Sequence, residues 1–248
     1  LRSDQLNRHA GPFTGGSRIL VEGRLSATAL RRGRVWALLL FIVATAALAG
    51  VAVEQRGALF TLLGAGAVLG IGYSAPPLKL VYRGLGELDV AFTHSALVIL
   101  LGYASQGGDV RDPAPWSLAL PLFCGVLPAI ILAGFPDWEA DRAAGKKTLA
   151  VRLGRPAAAL LALFAAVSAA VLLLLMPAGP APASAIGALG CFVAGHAVVL
   201  SLLIARFLRR QTLAGRIDGL LLVSLSYMIW FAALPLWVLW SQLRDRWP

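Results

Sequence analysis

Two aspartates spaced four residues apart, Asp137 and Asp141, are the residues best suited to bind a metal ion. Pro136 favours the first turn of a helix, so both carboxylates are expected on one helix face, about 5–6 Å apart. At an effective dielectric constant of about 20 two such charges repel by about 3 kcal/mol, which a bound cation relieves. Their hard oxygens suit Mg²⁺, which shares its coordination shell with substrate phosphates. Lys146 and Lys147 follow, placed to meet a diphosphate; the alternative is a solvated helix face.

A second polar segment follows the apolar run that ends near residue 75. Pro76 and Pro77 cannot continue a helix, so the basic residues after them are expected in a rigid turn. The alternative is simple anchoring of these side chains at a membrane interface. The candidate ligands of this segment are Tyr73, Lys79, Tyr82 and Arg83.

The N-terminal stretch supplies a third group of candidates. Glycine-rich turns with a nearby arginine can bind phosphate through backbone N–H groups and the guanidinium, and Gly15-Gly16 precedes Arg18. The alternative is a flexible turn, and one aspartate alone makes no metal site. The candidates here are Asp4, Asn7, Arg8 and Arg18.

The composition identifies the setting in which these residues must work. Of 248 residues, 58% are apolar and 14% are charged, and the mean hydropathy is +0.77. Soluble domains carry about a quarter charged residues, so a soluble enzyme, a disordered chain and a nucleic-acid-binding domain are all disfavoured. The net charge of +10 therefore does not indicate nucleic acid as a partner. Cys124 and Cys191 fit no disulfide framework and no metal-ligand spacing.

Seven stretches are long and apolar enough for membrane helices, which need about 20 residues. They lack the alternation of a barrel, and their many small residues favour close helix packing. We predict an all-α, polytopic membrane bundle that forms one integral domain over residues 1–248. The stretches are Val35–Val53, Gly57–Ala75, Leu88–Ala104, Trp116–Phe135, Ala157–Met176, Ala185–Ala205 and Gly219–Trp240.

The distribution of basic residues predicts the orientation. The segments before the first span and after the second, fourth and sixth carry 18 of the 22 Lys and Arg, which places them on the cytoplasmic side. All three groups of candidate residues then meet at the cytoplasmic face of a cell inner membrane. Most of the basic excess is accounted for by this topological signal. Within the spans, an ionisable side chain is a functional candidate by default, but His94 and His196 are rather expected to be neutral and hydrogen-bonded between helices.

Four segments together resemble the UbiA-type intramembrane prenyltransferases. Residues 137–154 look like that family's second aspartate motif and the helix after it, and residues 4–8 look like the tail of the first. Residues 18–26 are similar to the stretch that follows the first motif. Residues 82–87, YRGLGE, resemble a loop of the menaquinone branch, the 1,4-dihydroxy-2-naphthoate polyprenyltransferases. Gly134-Phe135-Pro136 departs from the N-N-L-R that often stands there in that branch.

The resemblance implies Mg²⁺-dependent transfer of a polyprenyl group from its diphosphate to an aromatic acceptor at the membrane. One Mg²⁺ would bind Asp137 and Asp141, and a second would bind Asp4 with aspartates that precede this chain. Lys79 would stand for a family lysine and, with Arg18 and Lys146, hold the diphosphate. Family members have nine spans, so the first two helices are expected upstream of Leu1.

Two alternatives remain open at this level. A relative with another acceptor, such as 4-hydroxybenzoate, haem, a chlorophyll precursor or a glycerol phosphate, would share these motifs. A transporter or channel is disfavoured, because the spans lack the paired intramembrane charges that mark transport pathways. The YRGLGE loop favours a quinone precursor as the acceptor.

Overall fold

The computed structural model describes residues 2–7, 9–51, 54–176, 183–210 and 215–244. Every regular element within these ranges is helical, which confirms the predicted all-α class. The helices are α1 (Arg2–Leu6), α2 (Ala27–Val51), α3 (Arg56–Gly72), α4 (Leu80–Arg83), α5 (Gly86–Phe92), α6 (Val98–Ser105), α7 (Pro113–Ala133), α8 (Trp138–Ala143), α9 (Leu149–Leu174), α10 (Ala183–Leu208) and α11 (Asp218–Arg244). A π-helical turn, Thr93–Leu97, joins α5 to α6.

The long helices coincide with the seven predicted apolar stretches. Among the described residues, four segments are long and apolar enough to cross a membrane, and α3 and residues 218–233 of α11 are shorter apolar helices. The chain therefore has the character of a multi-pass membrane protein, whereas the count of seven spans stays a prediction. The four segments are Gly86–Ser105, Pro113–Ala133, Leu149–Leu174 and Leu189–Leu208.

Helix α3 ends at Gly72, three residues before the predicted end of its apolar stretch. Pro76 and Pro77 cannot donate the N–H groups that another helical turn needs. Tyr73 consequently lies beyond the helix, in the loop that leads to Lys79. Lys79 itself has a φ of +47°, a left-handed conformation at the start of α4.

The core lies where α9 packs against α7 and α10, along a seam of small side chains. Because alanine is short, the helix backbones approach closely, and such contacts drive helix association in lipid. Tyr227 of α11 is fully buried against this seam and donates a hydrogen bond to the Ala166 carbonyl at 2.8 Å. The buried alanines of α9 are Ala150, Ala158, Ala159, Ala162, Ala165, Ala166, Ala169 and Ala170.

The two intramembrane histidines differ from each other. Trp230 Nε1 donates to His196 Nδ1 at 3.0 Å, so His196 Nε2 carries the proton and donates to the Val223 carbonyl at 2.9 Å. The prediction of a neutral histidine bonded between helices is confirmed for His196. It is wrong for His94, whose Nδ1 lies 3.0 Å from the Val90 carbonyl of its own helical segment. The π turn that begins at Thr93 places that ring along its own backbone.

Candidate active site

The two aspartates of the sequence motif lie one helical turn apart at the start of one short helix. Asp137 immediately precedes α8, and the Asp141 N–H donates to the Asp137 carbonyl at 2.8 Å, so the pair has the predicted helical spacing. Gly145, with a φ of +78°, ends this helical segment by adopting a conformation that other residues rarely tolerate. The chain then turns back, and Lys146 Nζ forms an ion pair with Asp141 Oδ1 at 2.7 Å.

The N-terminal segment binds both oxygens of the Asp137 carboxylate. Asn7 Nδ2 donates to Asp137 Oδ1 at 2.6 Å, and the Gly15 N–H donates to Asp137 Oδ2 at 3.2 Å. Gly15 has a φ of +84°, and a Cβ there would lie 2.8 Å from Ala10 Cβ and 2.9 Å from Asn7 Nδ2. Glycine is therefore required both by backbone conformation and by the approach to Asp137.

These residues enclose a small polar cavity of about 10 Å³, room for about one water-sized group, at the junction of α1, the N-terminal loop and α8. Three carboxylates and one lysine ammonium line it, so segments more than 120 residues apart in sequence meet there, as the motifs predicted. The lining residues are Ser3, Asp4, Asn7, Gly15, Asp137, Ala140, Asp141 and Lys146.

Electrostatics make this cavity receptive to a cation. Burial, followed by the negative charge of Asp141, raises the pKa of Asp137 above its ordinary value, although the hydrogen bonds from Gly15 and Asn7 oppose the shift. The charged form of Asp137 is therefore disfavoured until positive charge is nearby. In the structure Lys146 supplies that charge beside Asp141.

Tyr73, which follows α3, interacts electrostatically with the aspartate pair and with two further acidic side chains, Glu87 and Asp89. Burial, together with the charges of Glu87, Asp141, Asp89 and Asp137 in that order, raises the pKa of Tyr73 to about 12. Tyr73 is consequently protonated at neutral pH and carries a phenolic donor near four carboxylates. Of the candidates in the proline-containing loop, Tyr73 is therefore one that interacts with both aspartates of the pair.

Glu87 connects the YRGLGE loop to the aspartate segment. Its side chain is buried, and its Oε1 accepts a hydrogen bond from the Leu149 N–H at 2.6 Å, at the first residue of α9. The Lys147 N–H donates to the Val81 carbonyl at 3.0 Å and closes the same junction. The two loops therefore form one unit, and Glu87 acts on the site by positioning the start of α9.

Trp138 holds α8 against the start of α9. Its Nε1 donates to the Ala150 carbonyl at 2.9 Å, while the guanidinium groups of Arg142 and Arg155 lie 5.3 and 4.9 Å from its ring centre. Cation–π contacts of this kind stabilise by about 0.5–2 kcal/mol each. The helix that carries the aspartates is thereby attached to the long helix α9.

The donor set fits Mg²⁺ that is shared with a substrate. Among the described residues no group of three or more His, Cys, Asp or Glu side chains surrounds one point as a complete metal site. Each Asp137 oxygen accepts one hydrogen bond and retains a lone pair, and Asp141 uses Oδ1 for Lys146. Mg²⁺ usually takes one or two carboxylates and completes its shell with water and phosphate oxygens. The residues therefore fit that mode of binding.

The other predicted residues are placed differently around the cavity. Arg18 donates to the backbone carbonyls of Asp4 and Asn7, at 2.9 and 3.4 Å, so in this state it holds α1 in position. Arg83 donates to the Pro77 carbonyl at 3.0 Å, which stiffens its own loop. Lys79, Tyr82, Arg83 and Lys147 do not line the cavity, and Arg8 lies outside the described residues.

Sequence reasoning missed two groups that position the site, a backbone N–H and a buried carboxylate. The Gly15 N–H and the Glu87 carboxylate were both inside recognised motifs, but their partners come from distant segments. The signal that could have identified Glu87 is an acidic residue at the start of an apolar span, where an uncompensated charge is costly.

Comparisons with known proteins identify the family of this sequence. The UbiA prenyltransferase family profile matches residues 14–217. A 2-carboxy-1,4-naphthoquinone phytyltransferase of Synechocystis sp. is 41% identical over 103 residues, which are 40% of this chain and 32% of that protein. The UbiA prenyltransferase domain-containing protein 1 of Dictyostelium discoideum is 32% identical over 89 residues, 36% of this chain and 27% of that protein.

The chain thus aligns with a third or less of the length of these curated relatives. No solved structure matches it. The family match nevertheless covers most of the chain, including the aspartate helix, the YRGLGE loop and the Gly15 turn. This chain belongs to the UbiA prenyltransferase family.

Proposed function

We propose that this protein transfers a polyprenyl group from polyprenyl diphosphate to an aromatic acceptor and releases diphosphate. The observation that carries the proposal is the convergence of Asp4, Asp137, Asp141 and Lys146 on one cavity in a membrane bundle. In the reaction the allylic carbon–oxygen bond breaks, and its electron pair leaves with the diphosphate. An aromatic carbon of the acceptor then bonds to the allylic carbon, and the ring loses a proton.

Asp137 and Asp141 are the proposed ligands of Mg²⁺, and Asp4 is the proposed ligand of a second ion. When bound, Mg²⁺ neutralises charge that develops on the leaving diphosphate, a contribution of several kcal/mol. Asn7 and Gly15 fix the Asp137 carboxylate, so no reorientation is needed when the substrate arrives. Lys146, which pairs with Asp141 in the structure, is proposed to hold the diphosphate when substrate binds.

The remaining candidates are proposed to bind the outer part of the diphosphate. Lys79, Arg83 and Lys147 are exposed on the loops that meet at the Val81–Lys147 hydrogen bond. Tyr73 is proposed as a hydrogen-bond donor to the leaving group, because its phenol is protonated at neutral pH and its environment further opposes loss of the proton by raising its pKa. Arg8, Arg18 and Tyr82 complete the set that was predicted from the sequence.

An apolar groove of about 710 Å³ offers a place for the isoprenoid chain. It lies between α2, α3, the π turn and α6, and includes Phe41, Gly66, Leu97 and Leu101. One end reaches Gly70 and Ile71, close in sequence to Tyr73. An apolar wall beside the departing diphosphate would keep water from the allylic cation.

The proposed acceptor is 1,4-dihydroxy-2-naphthoate or a related quinone precursor. The YRGLGE loop and the similarity to a naphthoquinone phytyltransferase support this choice. The proposed setting is a bundle of seven spans in the cell inner membrane, with the aspartate cavity on the cytoplasmic side. The basic-residue count and the apolar helices support that topology.

The test is prenyl transfer by the purified intact protein in liposomes, with labelled polyprenyl diphosphate and a panel of aromatic acceptors. We expect a Mg²⁺-dependent prenylated naphthoate product from the wild type and at least a hundredfold lower rate from Asp137→Asn. Asp109→Asn is the matched control, because this exposed aspartate lies in the loop between α6 and α7. Normal turnover by Asp137→Asn would refute the proposal.

A further inference from the structure

A second polar pocket lies between the end of α10 and the start of α11. It has a volume of about 400 Å³, and its lining combines three arginines with apolar side chains. Arg206 lies in the last turn of α10, Arg210 lies two residues beyond its end, and Arg216 lies two residues before α11. The apolar wall consists of Leu203, Phe207, Ile217 and Leu220.

The charges of this pocket are only partly compensated. Arg216 Nε donates to Asp218 Oδ2 at 2.8 Å, so these two residues neutralise each other. Arg210 stacks on the Phe207 ring at 5.6 Å, which leaves its N–H groups free to bind an anion. Within the described ranges, no carboxylate pairs with Arg206 or Arg210. The pocket therefore carries two uncompensated positive charges.

The pocket lies at one end of an apolar segment that can cross a membrane, which is the depth at which lipid headgroups are found. Arg206 and Arg210 lie at and just beyond the end of Leu189–Leu208, one of the segments that can cross a membrane. The apolar wall continues from this end into the bundle. A ligand with a negative head and an apolar tail would satisfy both halves of the pocket, and basic pockets between membrane helices bind anionic lipids in this way. The dipole of the following helix α11 also favours an anion near its N-terminus.

The pocket adjoins the loop that holds the active-site carboxylate but is distinct from the aspartate cavity. A Cβ at Gly11 would lie 2.7 Å from Asp218 Oδ1 and 3.5 Å from Arg216 Nε, so the loop packs on the Arg216–Asp218 pair. Gly11 and Thr14 pair through backbone hydrogen bonds, and the next residue, Gly15, donates to Asp137.

We propose that the pocket around Arg206, Arg210 and Arg216 binds the headgroup of an anionic phospholipid on the same side of the membrane as the aspartate cavity. The proposal rests on the membrane topology given above and not on the prenyl-transfer reaction. Arginines at the end of a span also orient the helix, but that role needs neither a pocket nor selectivity among lipids.

The test measures lipid selectivity directly. The intact protein is reconstituted in phosphatidylcholine vesicles with a trace of spin-labelled phosphatidylglycerol or spin-labelled phosphatidylcholine, and the motionally restricted fraction is measured. We expect the wild type to bind phosphatidylglycerol in preference to phosphatidylcholine. In Arg206→Gln/Arg210→Gln the ratio of the two affinities should fall about tenfold. The matched control is Arg31→Gln/Arg32→Gln, which removes equal charge from exposed positions of α2 and should retain it.

Other outcomes would overturn the proposal. An equal loss in both double variants would show a general charge effect and no pocket. Displacement of the labelled phosphatidylglycerol by millimolar glycerol phosphate would identify a site for free phosphate, and displacement by pyrophosphate would assign the pocket to the diphosphate substrate. Because the assay needs no substrate or Mg²⁺, its result is independent of whether the protein transfers prenyl groups.

Discussion

The Gly15 turn gives a sharp test of how the N-terminal loop serves the aspartates. In Gly15→Ala the added methyl would lie 2.9 Å from Asn7 Nδ2 and 2.8 Å from Ala10 Cβ. The loop must therefore shift, and both hydrogen bonds to Asp137 depend on it. Gly16→Ala is the matched control, because its φ of +64° is equally left-handed but its nearest neighbour would be 3.8 Å away.

The expected magnitudes separate strain from function. Both variants carry the cost of a side chain in a left-handed conformation, about 1–2 kcal/mol. Gly15→Ala additionally weakens hydrogen bonds to a charged group, each about 1.5–3 kcal/mol. Because 1.4 kcal/mol is about tenfold in an equilibrium constant, we expect Gly15→Ala to weaken apparent Mg²⁺ affinity about ten- to a hundredfold more than Gly16→Ala does.

The assay is the rate of prenyl transfer as a function of Mg²⁺ concentration, at saturating substrates, for both variants in the same liposomes. Circular dichroism melting of each variant measures the shared backbone cost. If Gly15→Ala and Gly16→Ala had the same Mg²⁺ dependence, Asp137 would not depend on the loop, and the proposed role of Asn7 and Gly15 would be wrong.

Three further predictions concern contacts around and behind the carboxylates. Because Lys146 neutralises Asp141, Lys146→Met should weaken pyrophosphate binding about tenfold in calorimetry without weakening Mn²⁺ binding; equal losses of both would contradict its role as an anion ligand. Glu87→Gln keeps an oxygen for the Leu149 N–H and should melt like the wild type. Glu87→Ala should lose about 1–3 kcal/mol of unfolding free energy. If Glu87→Ala melted like Glu87→Gln, Glu87 would not cap the start of α9. His196→Leu should lose about 1 kcal/mol of stability while prenyl transfer per folded molecule is unchanged, and slower transfer by the folded variant would argue against a purely structural histidine.

The sequence predicted the fold class and the convergence of the motifs because both depend on strong local signals. Backbone groups in lipid are satisfied only in helices or closed barrels, and these stretches lack the alternation of a barrel. Basic residues distinguish the two sides of a membrane. The spacing of Asp137 and Asp141 required only that the segment be helical, and it is.

The parts that could not be predicted depend on contacts between distant segments. Nothing local indicates that the Gly15 N–H reaches Asp137, 122 residues away, or that Glu87 reaches Leu149. Arg18 has the residue type of a diphosphate ligand, but here it donates to backbone carbonyls of α1. Its backbone also has a left-handed φ of +51°, which the sequence did not reveal.

The most direct test of the whole account is binding of Mn²⁺, a paramagnetic substitute for Mg²⁺, measured by electron paramagnetic resonance with and without pyrophosphate. The account predicts that pyrophosphate tightens Mn²⁺ binding to the intact wild-type protein and to Asp109→Asn. Asp137→Asn and Asp141→Asn should each lose at least tenfold of that affinity. Wild-type binding by both of these variants would contradict the assignment of the carboxylate pair as the metal site.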